Sequence, residues 1–108
     1  MNLPREIFGE TIVVHTPEEL GLDQVEAFDA FMDHLERVQV VIDLDGTENI
    51  DSKGLTALLD TQDKHRALGG DVKLATSNAS NRKILELTRL DQSLEVYDSV
   101  IEAVRSYR

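Results

Sequence analysis

Cysteine is absent from this chain of 108 residues, which excludes disulfide bonds and thiolate chemistry. The sequence also lacks an apolar run as long as a membrane-spanning helix needs. Its N-terminal segment lacks the basic and apolar regions of a signal peptide. We therefore expect a cytoplasmic protein that is not inserted into a membrane.

Aromatic side chains are scarce, with three phenylalanines, two tyrosines and no tryptophan. Base stacking needs aromatic platforms, and phosphate backbones are held by clustered lysine and arginine. The formal net charge of −10 has the wrong sign for such contacts. The composition argues against nucleic acid as a partner and favours a protein with a basic surface.

The histidines of this chain are not spaced as metal ligands usually are. His15, His34 and His65 are spaced so that no two of them form a ligand pair on one helix face. Internal repeats, low-complexity tracts and linkers rich in proline, glycine or serine are not seen either. We predict no metal, no cofactor, and one domain over residues 1–108.

Strand-like and helical segments alternate along the chain, which predicts an α/β fold with a mostly parallel central sheet. Residues 7–8 and 11–14 are extended pieces that form either a small hairpin or one bulged strand. Further strands are expected at residues 40–44, 72–76 and 94–97.

Apolar spacing and capping signals predict about four helices. A capping box at residues 16–19 offers a start for the first helix, but Gly21 soon afterwards weakens a continuous helix and leaves the start open. The fourth helix follows a second capping box at residues 99–102. The second runs from Ser52 to about Leu68 and ends at Gly69-Gly70. The positions expected to face the core are Leu22, Val25, Phe28, Phe31, Met32 and Leu35 in the first helix, Ile84, Leu85, Leu87 and Leu90 in the third, and Val100, Ala103, Val104 and Tyr107 in the fourth.

The loop after residues 40–44 ends in a helix start at Asp51 and Ser52. Either side chain can accept a hydrogen bond from free N–H groups of the first helical turn. In parallel sheets, sites form beyond the carboxyl ends of the strands, where residues 45–52 are expected. A phosphate on Ser52 would meet unpaired N–H groups and the positive end of the helix dipole. Ser52 is therefore a candidate for chemical modification.

The same stretch resembles the STAS domain, the family of bacterial anti-sigma factor antagonists and of the cytoplasmic tails of sulfate transporters. The resemblance rests on an apolar strand, a short loop, and Asp-Ser-Lys-Gly-Leu at residues 51–55, followed by an amphipathic helix. It continues through residues 69–74, 84–87 and 94–99, and it covers about residue 11 to the C-terminus. It implies a single STAS-like domain.

What the resemblance implies for function is a partner switch. In the family, the first serine of this helix start accepts a phosphate from an anti-sigma factor that is also a serine kinase, which assigns phosphorylation to Ser52. The unphosphorylated antagonist binds the kinase and thereby frees the sigma factor. The phosphorylated antagonist dissociates from the kinase. The partner-binding residues are then Asp51, Ser52, Lys53 and Gly54, with the glycine allowing close approach of a partner backbone. We expect a monomer that is not an enzyme.

Three positions depart from the family pattern. Lys53 stands where many members have a second serine, and Arg89 stands where they often have a glycine near the end of the third helix. Gly21 stands where the family often has an acidic residue ahead of the first helix. Glu19 and Asp23 are the candidates to replace that acidic residue at the kinase contact.

Two alternative functions fit parts of the sequence. Residues 40–47 have the form of the first motif of haloacid dehalogenase-type phosphatases, with Asp43 as nucleophile, Asp45 as general acid and Mg²⁺ as cofactor. The late acidic pair that would hold Mg²⁺ is missing, because the late aspartates, Asp91 and Asp98, lie far apart. The other alternative keeps the fold and makes the chain a non-phosphorylated docking subunit of a transport or signalling complex.

Overall fold

The computed structural model describes residues 1–107, which contain seven strands and four α-helices. The strands are β1 (Arg5–Phe8), β2 (Thr11–His15), β3 (Glu19–Leu20), β4 (Gln39–Asp43), β5 (Asn49–Ile50), β6 (Asp71–Ala75) and β7 (Val96–Tyr97). The helices are α1 (Leu22–Asp33), α2 (Ser52–Ala67), α3 (Ala79–Leu87) and α4 (Val100–Arg105), with a short 3₁₀ helix at Leu90–Gln92.

The central sheet has the strand order β1-β2-β4-β6-β7. All neighbours in it are parallel except β1, which pairs antiparallel with β2. β3 and β5 form a separate parallel pair. The predicted α/β class, the mostly parallel sheet and the four helices are confirmed.

The chain begins with a hairpin, in which Gly9 and Glu10 join β1 to β2. Gly9 has a φ of +63°, in the left-handed region that glycine enters without steric penalty. Two-residue loops of type II′ place glycine at this first position because the turn then matches the twist of the strands. Of the two sequence-based alternatives, the hairpin is therefore correct and the single bulged strand is wrong.

The strands β2, β4 and β6 are buried on both faces of the sheet. Their successive side chains point to opposite sides and join different apolar clusters. Ile12 and Ile42 belong to the larger apolar cluster, which includes residues of α1, α2 and α3. Val13 and Val41 belong to a smaller cluster with α4, and there Ala103 is fully buried. None of the helices within residues 1–107 is both long and apolar enough to cross a membrane.

The start of the first helix, which the sequence left open, is Leu22, directly after Gly21 and not after the capping box at Thr16 and Pro17. The Thr16 hydroxyl donates to the carbonyl of Asp43 (3.1 Å), and the carbonyl of Pro17 accepts from the Thr47 hydroxyl (2.6 Å). The predicted capping box is therefore wrong, because these groups bond across the chain to the loop after β4 instead of to their own helix.

Leu22 was predicted to face the core and is 66% exposed. Phe28 and Met32, from the same predicted face, are buried as expected. Leu22 is the first residue of α1, and the buried residues of this helix lie in its later turns.

α2 ends as the sequence predicted. The amide of Gly70 donates to the carbonyl of His65 (2.8 Å), and the amide of Gly69 donates to the carbonyl of Arg66 (3.0 Å). These two bonds form a Schellman motif, which satisfies carbonyls that the helix end would otherwise leave free. The capping serine of α4 is confirmed too, since the side chain of Ser99 accepts from the amide of Glu102.

α3 is shorter than predicted, because it ends at Leu87 and Leu90 lies in the separate 3₁₀ helix. Leu87 was expected to face the core, but it is 73% exposed. Between Leu87 and Leu90, Arg89 has a φ of +61°, and it is the one residue other than glycine with a positive φ among residues 1–107. This conformation explains why a glycine suits the position, since Cβ disfavours the left-handed region by roughly 1–2 kcal/mol.

Arg89→Gly is expected to raise the free energy of unfolding by about 0.5–1 kcal/mol. The relief of backbone strain exceeds the extra entropy that glycine gives the unfolded chain. Urea unfolding of the purified variants measures the change. Lys83→Gly is the control. Lys83 is exposed inside α3, and a glycine there should lower the free energy of unfolding by about 1 kcal/mol. A loss at both positions would contradict the assigned role of Arg89.

Candidate functional site

Two short parallel strands lead directly into two helices at the predicted site. β3 and β5 pair Glu19 with Asn49 and Leu20 with Ile50. The next residue in each case caps a helix, Gly21 for α1 and Asp51 for α2. The N-termini of both helices therefore lie side by side, and the positive ends of their dipoles point to one place.

Asp51 caps both helices with one carboxylate. Its Oδ1 accepts from the amide of Gly54 (2.9 Å), and its Oδ2 accepts from the amide of Leu22 in α1 (3.0 Å). A Cβ on Gly21 would lie 2.7 Å from Oδ2, so glycine leaves the space that the carboxylate occupies. The amide hydrogen bonds from Gly54 and Leu22 lower the pKa of Asp51, which keeps the carboxylate charged.

Ser52 is exposed at the first position of α2, directly after the shared cap. Its carbonyl accepts from the hydroxyl of Thr56 (2.9 Å). Its hydroxyl takes part in none of the hydrogen bonds formed by residues 1–107. Lys53 is also exposed. The predicted helix start is confirmed, and it presents the Ser52 hydroxyl to solvent, where an enzyme can reach it.

Gly54 is buried, and the close approach that it permits lies inside the chain. A Cβ at this position would stand 2.0 Å from the carbonyl oxygen of Leu20 and 3.0 Å from Cγ1 of Ile50. The glycine therefore lets α2 pack directly on β3. This contact accounts for the glycine without any partner backbone, which is a different reason from the one expected from the sequence.

Glu19 and Asp23, the candidates for the missing acidic residue, are both exposed and line the same groove of about 370 Å³. Asp51 lines this groove too, and none of the three carboxylates belongs to an ion pair within residues 1–107. The exposed Leu22 stands at its rim. Sequence reasoning missed Leu22, because its spacing matched the apolar face of α1.

The carboxylates of the phosphatase alternative are used inside the fold. Asp45 accepts hydrogen bonds from the hydroxyl of Thr76 (3.1 Å) and the amide of Ser77 (2.7 Å). Asp43 accepts from the amide of Asp45 (3.0 Å) and contacts His15. Both carboxylates therefore shape the loop after β4, and residues 1–107 hold no group of three acidic, histidine or cysteine side chains placed for a metal ion.

A buried asparagine fixes the same loop from the side of α3. The side-chain amide of Asn81 donates to the carbonyls of Leu44 and Thr47, each at 3.0 Å. Buried polar groups that are fully satisfied in this way hold a loop in one conformation. The chain between β4 and Ser52 is therefore positioned by tertiary contacts.

His15 bridges two carboxylates near this loop, although it had looked isolated in the sequence. Its Nδ1 lies 2.8 Å from Asp43 Oδ2, and its Nε2 lies 2.6 Å from Glu6 Oε1. Both ring nitrogens can donate to the two carboxylates only when the ring is protonated, so this geometry favours the charged imidazolium. Burial by itself lowers the pKa of His15, but the hydrogen bonds to Glu6 and Asp43 outweigh it and raise the pKa.

The His15 bridge is expected to make stability depend on pH. A raised pKa in the folded chain adds stability that is full below the unfolded value of about 6.5 and is lost as pH rises through the folded value. The loss caused by His15→Gln should therefore be larger at about pH 5.5 than at about pH 8.5, by at most about 1 kcal/mol for partly exposed groups. Urea unfolding at both pH values measures this, with His34→Gln as the control, and equal losses would contradict the bridge.

The chain belongs to the STAS domain family, whose model matches residues 3–103. A relative from Thermotoga maritima, named "Putative anti-sigma factor antagonist", is 24% identical over 97% of this chain and 96% of its own length. The anti-sigma factor antagonists of this family are typically non-enzymatic.

Solved structures agree on the fold. An anti-sigma factor antagonist from Mycobacterium paratuberculosis has a TM-score of 0.85 at 22% identity, over 97% of this chain and 92% of its own. The phosphorylated form of SpoIIAA from Bacillus has a TM-score of 0.72 at 20% identity, over 99% of this chain and all of its own. The chain thus has the fold of the anti-sigma factor antagonists.

Proposed function

We propose that this protein is an anti-sigma factor antagonist that acts in the cytoplasm by partner switching and is controlled by phosphorylation of Ser52. The observation that carries the proposal is the exposed hydroxyl of Ser52 beside Asp51, where the N-termini of α1 and α2 meet. The partner is an anti-sigma factor with serine kinase activity. It binds the unphosphorylated chain and thereby releases a sigma factor.

The partner surface consists of exposed groups around this helix start. Asp51, Ser52 and Lys53 are exposed, and Gly54 supports them from below by allowing α2 to approach β3. The unpaired carboxylates of the neighbouring groove favour a basic partner surface, as does the net charge of −10. Glu19 and Asp23 are then placed to contact the kinase.

A phosphate on Ser52 would act locally. Asp51 already holds the amides of Gly54 and Leu22, so its carboxylate and the phosphate compete for the same positive helix ends. The phosphate is therefore directed outward, toward the partner. The fold of this chain changes little, and the partner loses its contact.

Recovery of the partner tests the proposal. The full chain and its Ser52→Ala variant are used to capture proteins from a lysate of the source cells, and the partner is then incubated with ATP and the wild-type chain. We expect an anti-sigma factor that adds one phosphate to the peptide containing Ser52 and then dissociates. Mass spectrometry identifies the partner and locates the phosphate.

The same experiment separates the docking-subunit alternative. Capture of a transport or signalling complex, with Ser52 unmodified and binding insensitive to ATP, would replace the partner switch by that alternative. Ser80 is the internal control, because it is also exposed in the first turn of a helix and should stay unmodified.

A further inference from the structure

β1 is an edge strand with an uncovered outer side. Its four residues are all exposed, and the apolar side chains of Ile7 and Phe8 are each 48% exposed. They point to opposite faces of the sheet, since Ile7 is paired with Ile12 and Phe8 with Thr11. An edge strand with an apolar residue on each face is a template for pairing with another strand.

The main-chain groups of Arg5 and Ile7 point away from β2. Antiparallel partners alternate between pairs that exchange hydrogen bonds and pairs that do not. The amide of His15 donates to the carbonyl of Pro4 (3.0 Å), so the pair that precedes Arg5 and Val14 is hydrogen-bonded. It follows that Arg5 and Ile7 direct their N–H and C=O groups outward, where no strand within residues 1–107 pairs with β1.

The charges on this edge are already compensated within the chain. Arg5 pairs with Glu36 (2.9 Å), and Glu6 pairs with His15 (2.6 Å). The edge therefore offers no unpaired carboxylate to attract a basic partner, in contrast to the groove beside Ser52. Two copies can also approach here without direct repulsion, although each carries a net charge of −10.

The sequence of β1 permits pairing with a second copy about Ile7. In an antiparallel pair of two copies related by a two-fold axis at Ile7, this residue meets Ile7 of the second copy. Glu6 then lies opposite Phe8 of the second copy, whereas an axis at Glu6 would oppose two carboxylates. The outward N–H and C=O groups of the two Ile7 residues form a reciprocal pair of hydrogen bonds.

We propose that two copies of this chain associate through β1, forming one continuous sheet across the two-fold axis at Ile7. This proposal departs from the monomer that we expected from the sequence. It does not depend on the function assigned to Ser52, because the edge at β1 and the start of α2 are separate parts of the surface.

Sedimentation equilibrium of the full chain from about 10 µM to 1 mM tests the dimer, a range suited to a small interface. We expect a monomer–dimer equilibrium for the wild type. Ile7→Pro removes an outward N–H without breaking a hydrogen bond to β2, and it should raise the dissociation constant at least tenfold with unchanged circular dichroism. Ile7→Lys keeps the N–H but places two charges at the axis, and it should have the same effect.

Leu87→Gln is the matched control, because Leu87 is 73% exposed on α3, the helix that connects β6 to β7 at the opposite end of the sheet from β1. Its dissociation constant should stay within about twofold of the wild type. A wild type that remains monomeric up to about 1 mM would overturn the proposal. So would a dimer that Leu87→Gln weakens and that neither Ile7 variant affects.

Discussion

Gly54→Ala is expected to lower the free energy of unfolding by about 3 kcal/mol or more. The new Cβ would lie 2.0 Å from the carbonyl oxygen of Leu20. This clash is with the main chain, so the rotation of a side chain cannot relieve it. α2 must move away from β3 to make room. Alanine gains about 1 kcal/mol over glycine in helix propensity, which is too little to offset the clash.

The movement would also disturb the shared cap. The amide of Gly54 donates to Asp51 Oδ1, and the other oxygen of the same carboxylate holds the amide of Leu22. A shift of α2 therefore weakens hydrogen bonds at both helix starts. A domain with a total stability of about 5–15 kcal/mol would lose a large share of it.

Urea unfolding of the purified variants measures this loss without any partner present. Lys53→Ala is the matched control, since Lys53 is exposed next to Gly54 in α2, and its stability should change by less than about 0.5 kcal/mol. Equal stabilities of Gly54→Ala and the wild type would show that the glycine is not needed for packing. Its importance would then lie in partner contact, as the resemblance implied.

Ser52→Asp is expected to weaken binding to the anti-sigma factor by roughly a hundredfold to several thousandfold. A charge buried at the interface without a partner costs about 3–5 kcal/mol, which corresponds to that range. A phosphate adds about −1.5 to −2 charges at pH 7, and physiological salt confines its field to about 8 Å. The effect must therefore be local, because the chain already carries −10.

The stability of the Ser52 variants should barely change. Ser52 is exposed, and a carboxylate in the first turn of α2 is favoured by the helix dipole and opposed by Asp51. We expect a net change within about 0.5 kcal/mol. Weaker binding of Ser52→Asp then reflects the interface and not unfolding.

Calorimetric titration against the captured partner measures both Ser52→Ala, which should bind constitutively, and Ser52→Asp. Ser80→Asp is the matched control, because it adds the same charge to the exposed first turn of α3. It should bind like the wild type. Equal affinities of Ser52→Ala and Ser52→Asp would remove Ser52 from the mechanism and favour the docking subunit.

Local signals predicted those elements whose ends are set by local hydrogen bonds. Asp51 caps α2, Ser99 caps α4, and Gly69-Gly70 ends α2, all as expected. The β-branched run at the centre of the chain predicted β4 to within a residue, because a strand buried on both faces needs continuous apolar character. The site serine could be found for the same reason, since its position depends on the cap directly before it.

Local signals failed where a residue's partner lies elsewhere in the chain. Thr16 has the form of a helix cap, yet it bonds to Asp43 and contacts Thr47. Leu22 has apolar spacing, yet it stands at the rim of the site groove. The register of β2 and β4 places His15 directly opposite Asp43, and only the folded sheet shows this pairing.

The sequence by itself determined the α/β class, the family and the exposed serine at a helix start, because these follow from short-range periodicity, capping and motif order. Tertiary structure alone decided that β3 and β5 bring the starts of α1 and α2 together, that one Asp51 carboxylate caps both, and that Gly54 serves internal packing. The reason is physical: Leu22 and Asp51 are 29 positions apart in the chain, and only strand pairing brings the amide of one within hydrogen-bond distance of the carboxylate of the other.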